Sequence, residues 1–351
     1  MAGTRPEAIK LAPVCRALAA ASGLRSVLLT TGQHTDLLVT ALAAFGLTPD
    51  YDLGVMTAGQ TPTTVASRVL DRLPAVLDKE QPAAVLVQGD TTTALAAGLA
   101  AFYAGVPVGH VEAGLRTHDL ANPFPEEANR QMLSRLARWH FAPTETAAAH
   151  LRAEGVVERV SVVGNTGIDA LLWQLAGRPA DFDRCGVLVT LHRRESFGQP
   201  LRQVLGGLSD FLNATPEATA VWPVHPNPAV QALAAEFAHP RLTLLPPLGY
   251  AEFARRLADC RLALSDSGGV QEEAPSLGVR VLVARDTTER PEAVEAGLNR
   301  LIGRDRRRVA AELARAWAEP PYTGPLPAPN PYGDGKAAGR IVTTLAAELT
   351  L

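Results

Sequence analysis

The chain has 351 residues, 47% of them hydrophobic and 20% charged, with a formal net charge of −3. That length exceeds one ordinary core and implies two domains. No basic stripe argues for nucleic acid, and no run of roughly 18 apolar residues argues for a membrane span. Thr4-Arg5-Pro6 opens the chain with a helix start, Pro6 being suited to the first helical position. Arg5 and Lys10 flank it, either as phosphate-holding cations or as exposed residues of an ordinary helix. Short apolar runs then alternate with Ala- and Leu-rich helical stretches. Strands are predicted at Ser26–Leu29, Ala84–Val87, Val106–Val111 and Val160–Val163. A second series follows at Gly186–Thr190, Ala220–Val224, Leu242–Leu245, Leu262–Ser265 and Arg280–Ala284. Continuous apolar strands separated by helices mean parallel sheets covered on both faces. The break between the two series falls near Gly164–Leu172, where a hinge is expected. Pro320–Pro331 is too proline-rich for regular structure, and a last helix is predicted over Gly335–Leu349.

Chemistry gathers at the C-terminal ends of the predicted strands, where α/β folds hold ligands. Asp90 follows the strand Ala84–Val87, although Thr91-Thr92-Thr93 leaves it equally readable as a helix cap. Glu112 follows Val106–Val111. Glu126 stands in the first turn of a helix, where an acid is often only favourable with the dipole. Three unpaired carboxylates at the ends of neighbouring elements repel one another and raise at least one pKa, as acid/base chemistry requires. His192 ends Gly186–Thr190 and reads as a diphosphate contact or a structural histidine. The most informative run is Leu262–Glu292. There Ser267-Gly268-Gly269 lies between a buried strand and a helix predicted over Val270–Leu277. A glycine turn at a helix N-terminus can hold a phosphate or be simply a tight turn. The acid pair Glu272-Glu273 would repel a phosphate, which suggests a second task such as gripping hydroxyls, and Arg290 adds a cation beyond the next strand. The eight histidines and three cysteines show no metal-ligand spacing. No G-x-G-x-x-G follows a strand, so no nicotinamide is expected. Cys15, Cys185 and Cys260 read as buried free thiols, which fits a reducing cytoplasm.

The run SDSGGVQEEAPSLGVRVLV with the following RDTTERPEA, the opening GTRPEAIK, and QGDTTTALA, VGHVEAGLRT, PFPEEANR, TLHRRESFG, VHPNP and NPYGDG resemble the non-hydrolysing UDP-N-acetylglucosamine 2-epimerases of bacteria. The resemblance covers essentially the whole chain. It implies an α/β fold of two Rossmann-like domains facing across a cleft (GT-B-like). The first would span 1–168, joined by a returning helix over 335–351, and the second 169–334. It implies reversible epimerisation of UDP-GlcNAc to UDP-ManNAc through elimination of UDP, without a cofactor, in a cytoplasmic homodimer that serves cell-surface polysaccharide synthesis. Asp90, Glu112, Glu126 and His192 would be catalytic. Arg5, Lys10, Phe253, Ser267, Gly268, Gly269, Glu273 and Arg290 would bind the nucleotide sugar, with Tyr250 and Phe253 near the uracil. Gln33, His34 and His225 resemble positions that hold a second, regulatory UDP-GlcNAc.

Relatives carry an apolar strand immediately before GTRPEAIK, where this sequence has only Met1-Ala2, so the native start is expected to lie upstream. Three other readings stay open: a hydrolysing epimerase that releases ManNAc and UDP, a glycosyltransferase of the same architecture, and a non-catalytic nucleotide-sugar sensor.

Overall fold

The structure is a computed structural model. It describes every residue except 33–34, 56, 58, 177–184, 194–196, 226, 321–328 and 350–351, with 35–37 described in backbone only. The chain divides into two compact units, Met1–Trp173 with Tyr332–Leu351, and Gln174–Pro331. Gln33 and His34, expected at a regulatory site, lie outside the described residues.

The first unit contains α1 (Arg5–Ala20), β1 (Leu29–Thr30), α2 (Thr35–Ala43), β2 (Tyr51–Asp52), α3 (Pro62–Glu80), β3 (Val85–Gln88), α4 (Thr92–Tyr103) and β4 (Val108–Val111). It continues with α5 (Glu126–Leu136), β5 (Trp139–Ala142), α6 (Glu145–Ala153), β6 (Val160–Val162) and α7 (Thr166–Gln174). Local chemistry places the helix starts. Glu7 turns back to accept from the backbone N–H groups of Gly3 and Thr4 at 3.0 and 2.6 Å, and Pro6 lies in the first turn. Thr61, Thr91 and Thr144 each accept from a backbone N–H three residues on, each cap contributing about 1 kcal/mol. Strands β3 to β6 form one parallel sheet in sequence order, and β1 and β2 form a separate parallel pair. Ala2 is bridged in parallel to Thr30, and the Met1 nitrogen donates to Leu86 O at 2.8 Å. The predicted strand Ser26–Leu29 is shifted and shortened to β1, Leu29–Thr30, while Leu28 O accepts from the Asp50 N–H at 2.8 Å just before β2.

The second unit contains β7 (Val187–Thr190), α8 (Gln199–Ala214), β8 (Ala220–Pro223), α9 (Pro228–Glu236), β9 (Leu242–Leu245), α10 (Tyr250–Asp259) and β10 (Leu262–Ser265). After these come α11 (Gly268–Glu273), β11 (Arg280–Val283), α12 (Pro291–Glu295), β12 (Asn299–Leu301) and α13 (Arg306–Ala318). All six strands are parallel, in the order β12-β11-β10-β7-β8-β9. The chain therefore starts in the middle, builds outwards through β8 and β9, and crosses back to β10. This puts a topological switch between β7 and β10, and their C-terminal ends flank the crevice where such sheets bind ligands. The core between sheet and helices includes Val189, Phe211, Trp222 and Leu264, each at most 1% exposed, and truncating one of the aromatic pair would cost about 3–5 kcal/mol.

Helix α14 (Ala337–Leu349) belongs to the first unit and packs on α1. Its first two N–H groups, from Ala337 and Ala338, donate to the Asp169 carboxylate at 3.3 and 2.8 Å. The stretch expected as a hinge is thus the helix α7, and the division between units falls at its end. The helix predicted over Val270–Leu277 starts earlier, at Gly268, and tightens at Ala274 into a 3-10 turn, since Pro275 cannot donate to an α-helical ladder. Of the cysteines only Cys260 is buried. Cys15 is intermediate, and Cys185, in the segment leading into β7, is exposed.

Candidate active site

In the first unit β3 and β4 run side by side with Gln88 opposite Val111, so residues just past their ends are neighbours. Asp90 lies two residues beyond β3. The cap of α4 is Thr91, not Asp90, which leaves the Asp90 side chain to pair with Arg130 at 2.7 Å. Burial raises the Asp90 pKa; Arg130 opposes this, while the negative charges of Glu112 and Glu126 add to it. Both of the other predicted carboxylates are therefore close enough to act on Asp90.

Glu112, immediately after β4, has a left-handed backbone (φ 66°), a strained conformation for a side chain of this size. Its carboxylate accepts from Lys10, from the Gln88 amide, and from Asn165 Nδ2 at 3.2 Å. Gly89 is at φ 71°, a left-handed conformation that favours glycine, and a Cβ there would meet Glu112 Oε2 only at an ordinary 3.5 Å. Lys10, expected among the nucleotide-sugar contacts, donates to the Glu112 carboxylate. Glu126 is the first residue of α5 and is half-buried. Its neighbour Glu127 is fully buried and accepts from the Thr117 and His118 N–H groups and from Gln131. Burial would raise the Glu127 pKa, but these hydrogen bonds and Arg130 hold it below its ordinary value.

Arg130, Asn165 and Gln88 escaped the sequence reading. Only Arg130 left a signal, since PEEANR puts it one helical turn after both glutamates. It is 6% exposed. Its Nε and Nη1 have no hydrogen-bond acceptor among the described residues, a cost of about 1–3 kcal/mol per buried donor that a ligand oxygen or water would remove. Arg5 stands half-buried at the start of α1.

In the second unit the switch between β7 and β10 carries its own cluster. Ser265 pairs with Thr190 across the strands, and their hydroxyls share a 2.5 Å hydrogen bond. Just beyond, Asp266 is completely buried and accepts from the backbone N–H groups of His192 and Arg193 at 3.0 Å. The same carboxylate lies 3.3 Å from His192 Nδ1. The imidazole stacks on His225 with ring centroids 5.5 Å apart. Burial lowers the His192 pKa, Asp266 raises it and Arg193 lowers it, with a net decrease.

Glu289 receives Arg193, Arg285 and Arg290 at 2.6, 2.6 and 2.7 Å. Burial alone would raise its pKa, but the three guanidinium groups hold it far below the ordinary carboxylate range. Arg290 also pairs with Glu272 at 2.6 Å, so Glu272 serves an ion pair. Three arginines and two glutamates thus gather here, with the Asp266 carboxylate against the Arg193 backbone. Gly268 has a reason other than phosphate approach, since a Cβ there would fall 2.5 Å from the Arg290 guanidinium carbon. Around Gly269 the nearest atoms to such a Cβ are 3.9 Å away. Glu273 is 8% exposed and accepts from the Tyr250 hydroxyl at 3.3 Å. Tyr250 is buried, Phe253 half-buried and His225 exposed. Among the described residues no group of three or more His, Cys, Asp or Glu could hold a metal ion, and no helix is long and apolar enough to cross a membrane.

Residues 16–346 match the profile of a family described as UDP-N-acetylglucosamine 2-epimerase. The chain is 46% identical to an Escherichia coli K12 protein named UDP-N-acetylglucosamine 2-epimerase, over 98% of this chain and 96% of that one. Among solved structures it resembles a Staphylococcus aureus MnaA–UDP co-structure (TM-score 0.89, 40% identity, 99% and 95% of the two chains covered). It also resembles the UDP-GlcNAc 2-epimerase of Neisseria meningitidis bound to UDP-GlcNAc (TM-score 0.87, 39% identity, 98% of each chain covered).

Proposed function

The chain belongs to the non-hydrolysing UDP-N-acetylglucosamine 2-epimerase family, an α/β, GT-B-like fold, and from that premise we propose how its residues carry out the epimerisation. The C2 proton of an N-acetylhexosamine is not adjacent to a carbonyl and is not acidic. Departure of UDP from C1 changes that, because the developing oxocarbenium acidifies the neighbouring C–H bond. Loss of both gives 2-acetamidoglucal and UDP. Protonation of C2 on the opposite face, with the diphosphate oxygen returning to C1, gives UDP-N-acetylmannosamine.

The observation that carries this reading is the approach of Glu112 and Glu126 to Asp90, with Lys10 paired to Glu112 and Arg130 to Asp90. Asp90, its pKa raised, suits the group that holds and returns a proton. Glu112, gripped by Lys10, Gln88 and Asn165, suits a fixed negative charge that stabilises the sugar cation. Glu126 completes the set as the second proton-transfer group. The arginine cluster of Arg193, Arg285 and Arg290, with His192 and the backbone of Ser267, Gly268 and Gly269, stabilises the leaving UDP. Glu273 takes the ribose hydroxyls, and Arg5 and Phe253 contact the nucleotide. The family resemblance, rather than any geometry, supports three further elements of the proposal: a cytoplasmic homodimer, a role in cell-surface polysaccharide synthesis, and activation by a second UDP-GlcNAc held by His225 with Gln33 and His34.

The test is proton NMR of UDP-GlcNAc with the purified protein in D2O, with no added nicotinamide or metal. UDP-ManNAc should appear, and deuterium should enter C2 of both sugars. Release of free ManNAc with UDP would move the chain to the hydrolysing branch. An unchanged nucleotide sugar would overturn the proposal.

A further inference from the structure

The turn that carries Asp90 runs from Gln88 to Thr91, between β3 and α4, and each of its residues is tied to a neighbouring element of the first unit. Gln88 donates through its side-chain amide to Glu112. The Gly89 N–H donates to Val111 O at 3.0 Å, and the Gly89 carbonyl accepts from His110 Nε2 at 2.7 Å. The Asp90 carbonyl accepts from Asn129 Nδ2 at 2.9 Å. The Thr91 hydroxyl donates to Glu7 Oε1 at 2.7 Å while it accepts the Ala94 N–H at 3.0 Å.

Two of these bonds act on the peptide planes either side of Asp90. The Gly89 carbonyl belongs to the plane that ends at the Asp90 nitrogen, and the Asp90 carbonyl to the plane that leaves it. A peptide is rigid, so fixing both planes fixes both soft dihedrals of Asp90, and with them the direction of its Cα–Cβ bond. Arg130, next to Asn129 on α5, then holds the carboxylate itself. His110 is poorly suited to packing alone. It is fully buried within β4, where valine or isoleucine would satisfy a strand covered on both faces. A carbonyl can only accept, so Nε2 carries the proton and Nδ1 is a bare acceptor, without a hydrogen-bond partner among the described residues. Burial lowers the His110 pKa to about 3, so the ring is neutral near pH 7. What histidine offers here beyond bulk is one N–H, and it goes to Gly89.

We propose that His110 and Asn129 are positioning residues for Asp90, holding the two peptide planes that aim its carboxylate at the C2 proton of the substrate. The inference rests on the role in proton transfer proposed above for Asp90, and both side chains act through that residue. Proton transfer needs its two heavy atoms within about 2.6–3.2 Å of each other, and a displacement of roughly 1 Å costs about 10²-fold in rate. Loss of either clamp therefore slows the chemical step and leaves the grip on the nucleotide, which lies on other residues, as it was.

The full chain is produced as His110→Phe, His110→Gln and Asn129→Ala, each alone and each combined with Asp90→Asn, and UDP-GlcNAc epimerisation is followed by proton NMR. In His110→Phe and Asn129→Ala, kcat is expected to fall about 10- to 100-fold, with KM within about twofold of native. His110→Gln, whose amide nitrogen can donate to Gly89 O in place of Nε2, should keep kcat within about threefold of native. In the Asp90→Asn background none of the three should lower kcat further by more than about twofold, because the group they position no longer transfers a proton. Equal losses in His110→Gln and His110→Phe, or losses that add in full to that of Asp90→Asn, mark a general weakening of the fold and would overturn the proposal. Should His110→Phe fail to fold, the cycle of Asn129→Ala with Asp90→Asn decides by the same criterion. Native turnover in Asp90→Asn would overturn the role of Asp90 and this inference with it. A slow Asp90→Asn beside native turnover in His110→Phe and Asn129→Ala would overturn this inference alone.

Discussion

The two units build their sites at equivalent places, past the C-terminal ends of central parallel strands, yet the charges there are opposite in kind. The first unit presents carboxylates, Asp90, Glu112 and Glu126, restrained by Lys10 and Arg130. The second presents arginines restrained by Glu272 and Glu289. In each, one residue of the minority charge is buried, Arg130 in the first and Glu272 in the second, and pairs with the majority. Topology thus sets the address in each unit, and the sign of the charge gathered there differs between them.

The sharpest way to break that comparison is Asp90→Asn. We expect kcat to fall by about 10³-fold, within the range for losing a positioned proton-transfer group, with affinity for UDP unchanged in a calorimetric titration. A comparable loss of UDP affinity would mean that the carboxylates bind nucleotide and that the division of labour is wrong. Arg290→Ala is the reciprocal probe. Removing a charge-assisted contact should weaken UDP by about 10- to 100-fold, measured by the same titration. Unchanged binding would show that the guanidinium only braces Glu272.

A third prediction uses pH. Glu289 has its folded pKa depressed well below an unfolded value of about 4.3. Its stabilisation is present above that value and is lost as pH falls towards the folded pKa. The midpoint of denaturation should therefore drop on acidification from about pH 5 to pH 3 more steeply in the native chain than in Glu289→Gln. Asp90 runs the other way: its folded pKa is raised, so protonation favours the folded site and stability is lost as pH rises through the folded value. Parallel pH curves for the two chains would remove Glu289 from the account. The smallest effect is expected from His225→Ala, which removes a stacking partner of His192 and should change kcat/KM by only about two- to threefold. A larger change would promote His225 to a substrate contact.

The sequence revealed most of the strands because a strand covered on both faces must be apolar, and nine such runs stood out. It concealed β5, where His140 interrupts the apolar run, and β12, which is Asn-Arg-Leu. It also overstated the strand at Ser26–Leu29, since pairing depends on a neighbour that the pattern of one segment cannot disclose. Asp90, Glu112 and His192 were legible because they terminate strands. The partners of Glu112 were not, because Lys10 lies 102 positions away and Asn165 lies 53 away, and only the fold unites them. Gly268 was noticed for the right property, a missing side chain, but its neighbour is Arg290.

The second unit is an insertion within the first, between Trp173 and Tyr332. It is one continuous stretch, and Asn330 near its end donates to Glu272 O at 2.9 Å. The first unit is discontinuous: the two amides that Asp169 accepts belong to Ala337 and Ala338, 168 and 169 positions later. In order of synthesis the arginine-bearing half is therefore complete before the helix that the carboxylate-bearing half takes from beyond it.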